Sequence, residues 1–255
     1  MEINGTLSAI VTGGASGLGE ATARMLSSMG AKVAIFDLDI EKGSTIAKEL
    51  NSDFYEVDVS DVNSVNQAVL DFSKQNEGIQ VAVNCAGIGP AAKTVSRGEA
   101  HSSELFAKVI NINLIGTFNV ASVCAAQMVK NDKCSEDGLR GVIINTASVA
   151  AYDGQVGQAA YSASKGGVVG LTLPMARDLS DKGVRVCSIA PGLFLTPLLE
   201  SLPTEVQESL GGQVPFPSRL GKPKEFAHLV CHIIENDMLN GEVIRLDGAI
   251  RMAPR

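Results

Sequence analysis

The stretch LSAIVTGGASGLGEATARML, residues 7–26, decides the fold. Leu7–Thr12 is a strand-like run with no charge in it, as expected of a strand covered on both faces. Gly13, Gly17 and Gly19 then let the chain turn sharply and come close to a ligand. From Gly17 to Met29 the spacing is helical, with Ala21, Met25 and Met29 on one face. A helix starting there offers free N–H groups and a partial positive charge, which suit a pyrophosphate. The glycine spacing meets GxGxxG only loosely, so alone it also reads as a plain βα turn.

Working outward, the alternation continues. Lys32–Asp37 predicts a strand and Glu41–Leu50 a helix; Phe54–Val57 and Asp61–Lys74 repeat the pair, and Val81–Asn84 is another strand. Gly87–Ser103 contains Gly, Pro and Ser and predicts a loop or short helix. A long helix over about Leu105–Lys130 follows, then strand Gly141–Ala147, helix Gln158–Asp181 and strand Arg185–Ala190. A Pro- and Gly-rich stretch with a helical middle at Glu205–Leu210 leads to helix Pro223–Asn236 and strand Val243–Leu246. Strands alternating with helices of this length imply βαβ units. No linker or composition shift divides the chain. The expected fold is α/β, a single domain over residues 1–255 with a doubly wound, seven-stranded parallel sheet.

Composition agrees. Over 255 residues, 45% are hydrophobic and 19% charged, a globular balance. Lys+Arg 21 against Asp+Glu 28 gives a net charge of −7, and aromatics are 4% with no Trp, so no nucleic-acid partner is expected. Arg24, Arg251 and Arg255 are isolated charges. The odd number of cysteines, without CxxC, reads as free thiols in a reducing compartment. No uncharged apolar run reaches the ~20 residues that span a bilayer, so no membrane is expected. Nothing at the N-terminus reads as a targeting peptide. The expected location is the cytoplasm, with the mitochondrial matrix as the eukaryotic alternative.

Asp37 ends the second strand. A carboxylate there can accept hydrogen bonds from an adenosine ribose and repels a 2′-phosphate, which favours NAD over NADP. Asp58 and Val59, after the third strand, would sit beside the adenine. Asn84-Cys85-Ala86-Gly87, after the fourth, would line the nicotinamide-side ribose. Tyr161 and Lys165 stand at i and i+4, on one helix face. An ammonium near a phenol stabilises phenolate, and such a phenol can exchange a proton with an alcohol or ketone. Ser148, after the fifth strand, could fix a substrate oxygen beside it. A Tyr and a Lys four apart are common by chance. The combination with the glycine turn and Asp37 is specific.

These residues resemble the short-chain dehydrogenase/reductase family. The likeness rests on Thr12–Gly19, Asn84–Gly87, Asn113, Ser148, Tyr161–Lys165 and Pro191-Gly192-Leu193-Phe194-Leu195-Thr196, and spans nearly the whole chain. It implies a Rossmann-type fold with NAD held by Gly13, Ser16, Gly17, Leu18, Gly19, Asp37, Asp58, Val59, Asn84, Cys85, Ala86, Gly87, Tyr161, Lys165, Pro191, Gly192, Phe194 and Thr196. It implies Tyr161 as the catalytic acid/base, Lys165 lowering its pKa, Ser148 orienting the substrate, and Asn113 holding a water linked to Lys165. Gln155 and Gln158 would join Ser148 and Tyr161 on the substrate side. Within the family, Gly141–Leu179, Ile189–Pro203, Gln213–Gly221 and Leu239–Met252 are most similar to members that oxidise 3-hydroxyacyl-CoA. The activity so implied is NAD-dependent, reversible oxidation of an acyl-CoA substrate by a homotetramer. Competing readings are an alcohol or hydroxysteroid dehydrogenase, a 3-oxoacyl carrier-protein reductase, and a nucleotide-sensing scaffold without catalysis. His228, Cys231 and His232 share a helix but lack the Glu of HExxH, so no metal is expected. Tyr152 reads as pocket wall or packing.

Overall fold

The computed structural model describes residues 1–254, the side chain of Leu198 excepted; Arg255 lies outside the described residues. Strand β1 (Ser8–Thr12) leads through the glycine turn to α1 (Gly17–Ser28). Then come β2 (Lys32–Asp37), α2 (Ile40–Leu50), β3 (Asp53–Glu56), α3 (Val62–Gln75) and β4 (Val81–Asn84). The predicted loop holds a small hairpin, β5 (Val95–Ser96) and β6 (Glu99–Ala100), turning at Arg97 and Gly98, both at positive φ. The expected long helix is α4 (Ser103–Ile110) and α5 (Gly116–Met128), joined by one π turn, Asn111–Ile115. Next are β7 (Gly141–Thr146), α6 (Ala159–Asp178) and β8 (Val184–Pro191). Short helices α7 (Pro197–Glu200) and α8 (Thr204–Gly211) precede α9 (Pro223–Glu235) and β9 (Val243–Leu246).

Seven strands form one parallel sheet in the order β3-β2-β1-β4-β7-β8-β9. Side chains alternate across it, as period-2 geometry requires. Val11, Ile35, Val83, Ile144 and Ile189 face one layer with Leu26 of α1 and Phe226 and Val230 of α9. Ile10, Phe36, Ala82, Ile143 and Val186 face the other, with Phe72 of α3 and Val120 and Cys124 of α5. Phe72 and Phe226 are fully buried, each worth about 1.5–3 kcal/mol of hydrophobic transfer. Ser103–Met128 is long and apolar enough by composition to span a bilayer, yet here it is a core helix, with Val109, Val120 and Met128 fully buried. Strand order reverses between β1 and β4, and the crevice at such a reversal, beyond the strand C-termini, is where open α/β sheets bind ligands. Thr12, Asp37, Asn84, Thr146 and Pro191 all stand at those C-termini.

Candidate active site and cofactor cradle

The cradle is built by backbone contacts that only glycine permits. Gly13 has φ +63, and a Cβ on it would come 2.8 Å from the Ala86 amide nitrogen. A Cβ on Gly19 would overlap the Gly13 carbonyl. Gly17 has φ +54 and lies against the Pro197 ring, so Thr196 and Pro197 close over the turn. Ser16 is the N-cap of α1 but its side chain makes no capping bond, leaving the first amides of a twelve-residue helix open to an anion. Thr12 carries a role the sequence reading missed. Its hydroxyl accepts from the amides of Cys85 and Ala86, each at 3.1 Å, pinning the β4 turn to β1. A hydroxyl residue directly before Gly13 at a strand end was the available signal.

Asp37 is held in place. One carboxylate oxygen accepts from the Ala15 amide and the other from Asp39, both at 3.0 Å, fixing the charge beside the glycine turn. Asp58 accepts from the Ser60 amide and hydroxyl through one oxygen. Val59 is buried, and its carbonyl accepts from Asn119. Asn84 donates to Asn145 at 2.9 Å across β4 and β7. Cys85 receives the Thr146 hydroxyl at 3.6 Å, and burial pushes its thiol up to about 11, so it is not a nucleophile at neutral pH. Ala86 packs against Gly13 and Gly87 against Asn113 and Lys165. Phe194 is buried on Gly221, and Gly192 lies against Asp247, which fixes the loop after Pro191.

The chemical centre gathers Ser148, Tyr161, Lys165 and Asn113. Ser148 caps a 3-10 turn, Val149–Ala151, accepting from the Ala150 amide at 3.1 Å. Its hydroxyl also acts on the Tyr161 phenol, favouring the ionised form. Gly89 leaves the Tyr161 ring uncrowded; a Cβ there would sit 3.6 Å from it. Lys165 is buried, donates to the Thr146 carbonyl at 2.7 Å, and lies 5.8 Å from the phenol ring centroid. Burial lowers its pKa to about 8. Burial raises the Tyr161 phenol above its usual value, with the Ser148 hydroxyl opposing. Spacing i, i+4 brings the two residues together, and the ammonium donates to the Thr146 carbonyl. Asn113 stands in the π turn. Its oxygen accepts from the Ile88 amide at 2.8 Å, and its nitrogen donates to the Ile88 carbonyl and to Ser164. The Asn113 amide thus clamps the segment after Gly87 to α6.

Gln155 and Gln158 line a cavity of about 500 Å³ with Lys93, Thr94, Val156 and Ser162. Gln158 accepts from the Gln155 amide, and the Gln155 side chain donates to the Ala253 carbonyl. Tyr152 is half-exposed beneath Arg245, as packing predicts. On α9 the Cys231 thiol faces the Met29 sulfur at 3.7 Å, and His232 pairs with Asn236.

Residues 8–207 match the family model described as short chain dehydrogenase. The chain is 58% identical over 253 residues to a 3-hydroxyacyl-CoA dehydrogenase type-2 from Bos taurus, covering 97% of this chain and 96% of that protein. It is 57% identical over 253 residues to the protein of that name from Homo sapiens, with the same coverage. The crystal structure of 3-hydroxyacyl-CoA dehydrogenase type-2 from Mycobacterium avium superposes with a TM-score of 0.94 at 44% identity, covering 98% of both chains. With its glycine cradle and its Ser148, Tyr161 and Lys165 at the strand C-termini, this chain belongs to the short-chain dehydrogenase family.

Proposed function

We propose that the protein oxidises 3-hydroxyacyl-CoA to 3-oxoacyl-CoA reversibly, with NAD rather than NADP as cofactor, and that it works as a homotetramer. The observation that carries the reaction is the Ser148 hydroxyl placed where it favours the Tyr161 phenolate, with the buried Lys165 beside that ring. The acyl-CoA comes from the names of the full-length relatives. The residues fit a nicotinamide dinucleotide: the Gly13–Gly19 turn fits its pyrophosphate, and the Asp37 carboxylate, fixed beside that turn, faces a ribose and disfavours a 2′-phosphate. When bound, the nicotinamide supplies the hydride acceptor.

Ser148 holds the substrate oxygen next to the phenol. Tyr161, ionised for the oxidative direction, takes the proton of the 3-hydroxyl. In reduction it returns that proton to the 3-oxo oxygen. Lys165 keeps positive charge near the developing phenolate below its pKa of about 8. Asn113 fixes the Ile88 backbone, and so one edge of the cleft.

The test is NADH formation with short, long and branched 3-hydroxyacyl-CoAs, a hydroxysteroid and a simple secondary alcohol. The predicted result is highest kcat/KM on a 3-hydroxyacyl-CoA, with NAD preferred to NADP and the preference weakened in Asp37→Ala. A better rate on the steroid or alcohol, or equal use of NADP by the unmodified enzyme, contradicts the corresponding part.

A further inference from the structure

Arg245 lies on β9, an edge strand, yet its side chain is only 22% exposed. Its guanidinium joins the segment after the Ser148 turn to the chain that leaves β9. Nε donates to Asp247 at 2.7 Å, and Nη2 donates to Asp153 at 2.7 Å and to the Ile250 carbonyl at 3.0 Å. The Tyr152 ring packs on it, 5.2 Å from centroid to guanidinium carbon. Each segment leads to the cleft. Tyr152 and Asp153 follow the Ser148 turn and precede the Gln155–Gln158 wall. The Asp247 backbone packs on Gly192, in the loop expected to hold cofactor. Ile250 begins the C-terminal tail, which runs back over the wall: Gln155 donates to the Ala253 carbonyl at 2.9 Å and Val156 to the Pro254 carbonyl at 3.0 Å. Asp247 also accepts from the Ala249 amide, at a residue held at φ +67. One planar cation thus ties the wall to the tail, while Asp247 keeps its bonds to the Ala249 amide and Arg251 without it.

We propose that Arg245 is a positioning residue for the substrate: the Asp153–Arg245–Asp247 bridge holds the Gln155–Gln158 wall and the tail strapped across it in the arrangement that receives the outer part of the substrate. The inference rests on the proposed reaction and on the expectation that Gln155 and Gln158 stand on the substrate side. Two charge-assisted bonds in a fork are geometry an ammonium cannot reproduce, so Arg→Lys is not conservative here. Nothing in the bridge touches the phenol, so the effect falls on substrate binding.

The experiment compares wild type with Arg245→Lys, Arg245→Met and, as the milder change, Asp153→Asn. Steady-state kinetics should show KM for 3-hydroxyacyl-CoA raised roughly tenfold in Arg245→Met, as for loss of a partly buried charge pair, with KM for NAD within about twofold of wild type. Arg245→Lys and Asp153→Asn should fall between. Hydrogen exchange, which needs no substrate, should be faster in 153–158 and 249–254 and unchanged in 8–19. An acyl-CoA KM near wild type in a folded variant, equal rises in both KM values, or unchanged exchange in 153–158 overturns the inference. Wild-type turnover of 3-hydroxyacyl-CoA reports separately on the reaction: if it is absent the proposed function fails, and the exchange result still decides whether Arg245 holds the wall.

Discussion

At the scale of single residues, the site is a contest between burial and charge. Tyr161 must lose its proton to accept one from an alcohol, and burial holds its pKa above the usual phenol value. Lys165 must stay charged to favour that loss, and burial lowers its pKa to about 8. The signs follow. As pH rises the phenol ionises, so kcat/KM for oxidation should climb through the alkaline range, while reduction, which needs the protonated phenol, should fall. Because the two groups are neighbours, the measured pKa values belong to the pair. The profile of kcat/KM against pH in both directions checks this; an oxidation limb already complete below pH 7 would contradict it. The residues of this centre were legible in the sequence because their types and spacing are specific. The sign of the tyrosine shift was not. It depends on where the Lys165 amine points and how much water remains, and neither is encoded in a four-residue interval. Thr12 shows the same limit: its hydroxyl serves amides more than seventy residues away.

Among the elements, the glycine turn carries most of the cofactor geometry. A methyl on Gly19 would overlap the Gly13 backbone, which cannot move without disturbing Ala86. Overpacking of this kind typically costs about 1–3 kcal/mol, so Gly19→Ala should lower Tm by several degrees and weaken NAD binding at least ~10-fold. Calorimetric titration with NAD, beside a thermal melt, measures both; unchanged NAD affinity would contradict the assignment. The strands of the sheet were legible because each is an apolar run bounded by polar or turn residues, and Lys32–Asp37, Val81–Asn84 and Val243–Leu246 have the expected bounds. The π turn at Asn111–Ile115 was not, since one extra residue per turn leaves the apolar pattern of a long helix almost unaltered. The Val95–Ala100 hairpin lay inside a predicted loop, its turn marked only by Arg97-Gly98.

For the whole molecule, α4, the π turn, α5 and α6 leave apolar side chains on the surface: Phe106, Ile115, Phe118 and Leu173 are 39%, 44%, 49% and 44% exposed. Gly166 and Gly170, one turn apart on α6, have open space where a side chain would stand, so another backbone can approach. These features support the proposed tetramer. Sedimentation at micromolar protein should find an assembly about four times the 26.6 kDa chain, and Phe118→Asp should shift it toward smaller species. A fully active monomer would contradict that. The link from Arg245 to Asp153 spans ninety-two residues, and no local pattern announced it. The central claim is that Tyr161, oriented with Ser148 and backed by Lys165, moves the proton. Tyr161→Phe keeps the ring and its packing and removes only the hydroxyl. The most direct measurement is kcat of Tyr161→Phe on 3-hydroxyacyl-CoA, with NAD affinity measured on the same protein. General acid–base catalysis is worth ~10²–10⁴-fold, so kcat should fall at least a hundredfold while NAD affinity stays within about twofold. A Tyr161→Phe enzyme with near-normal kcat would contradict the account.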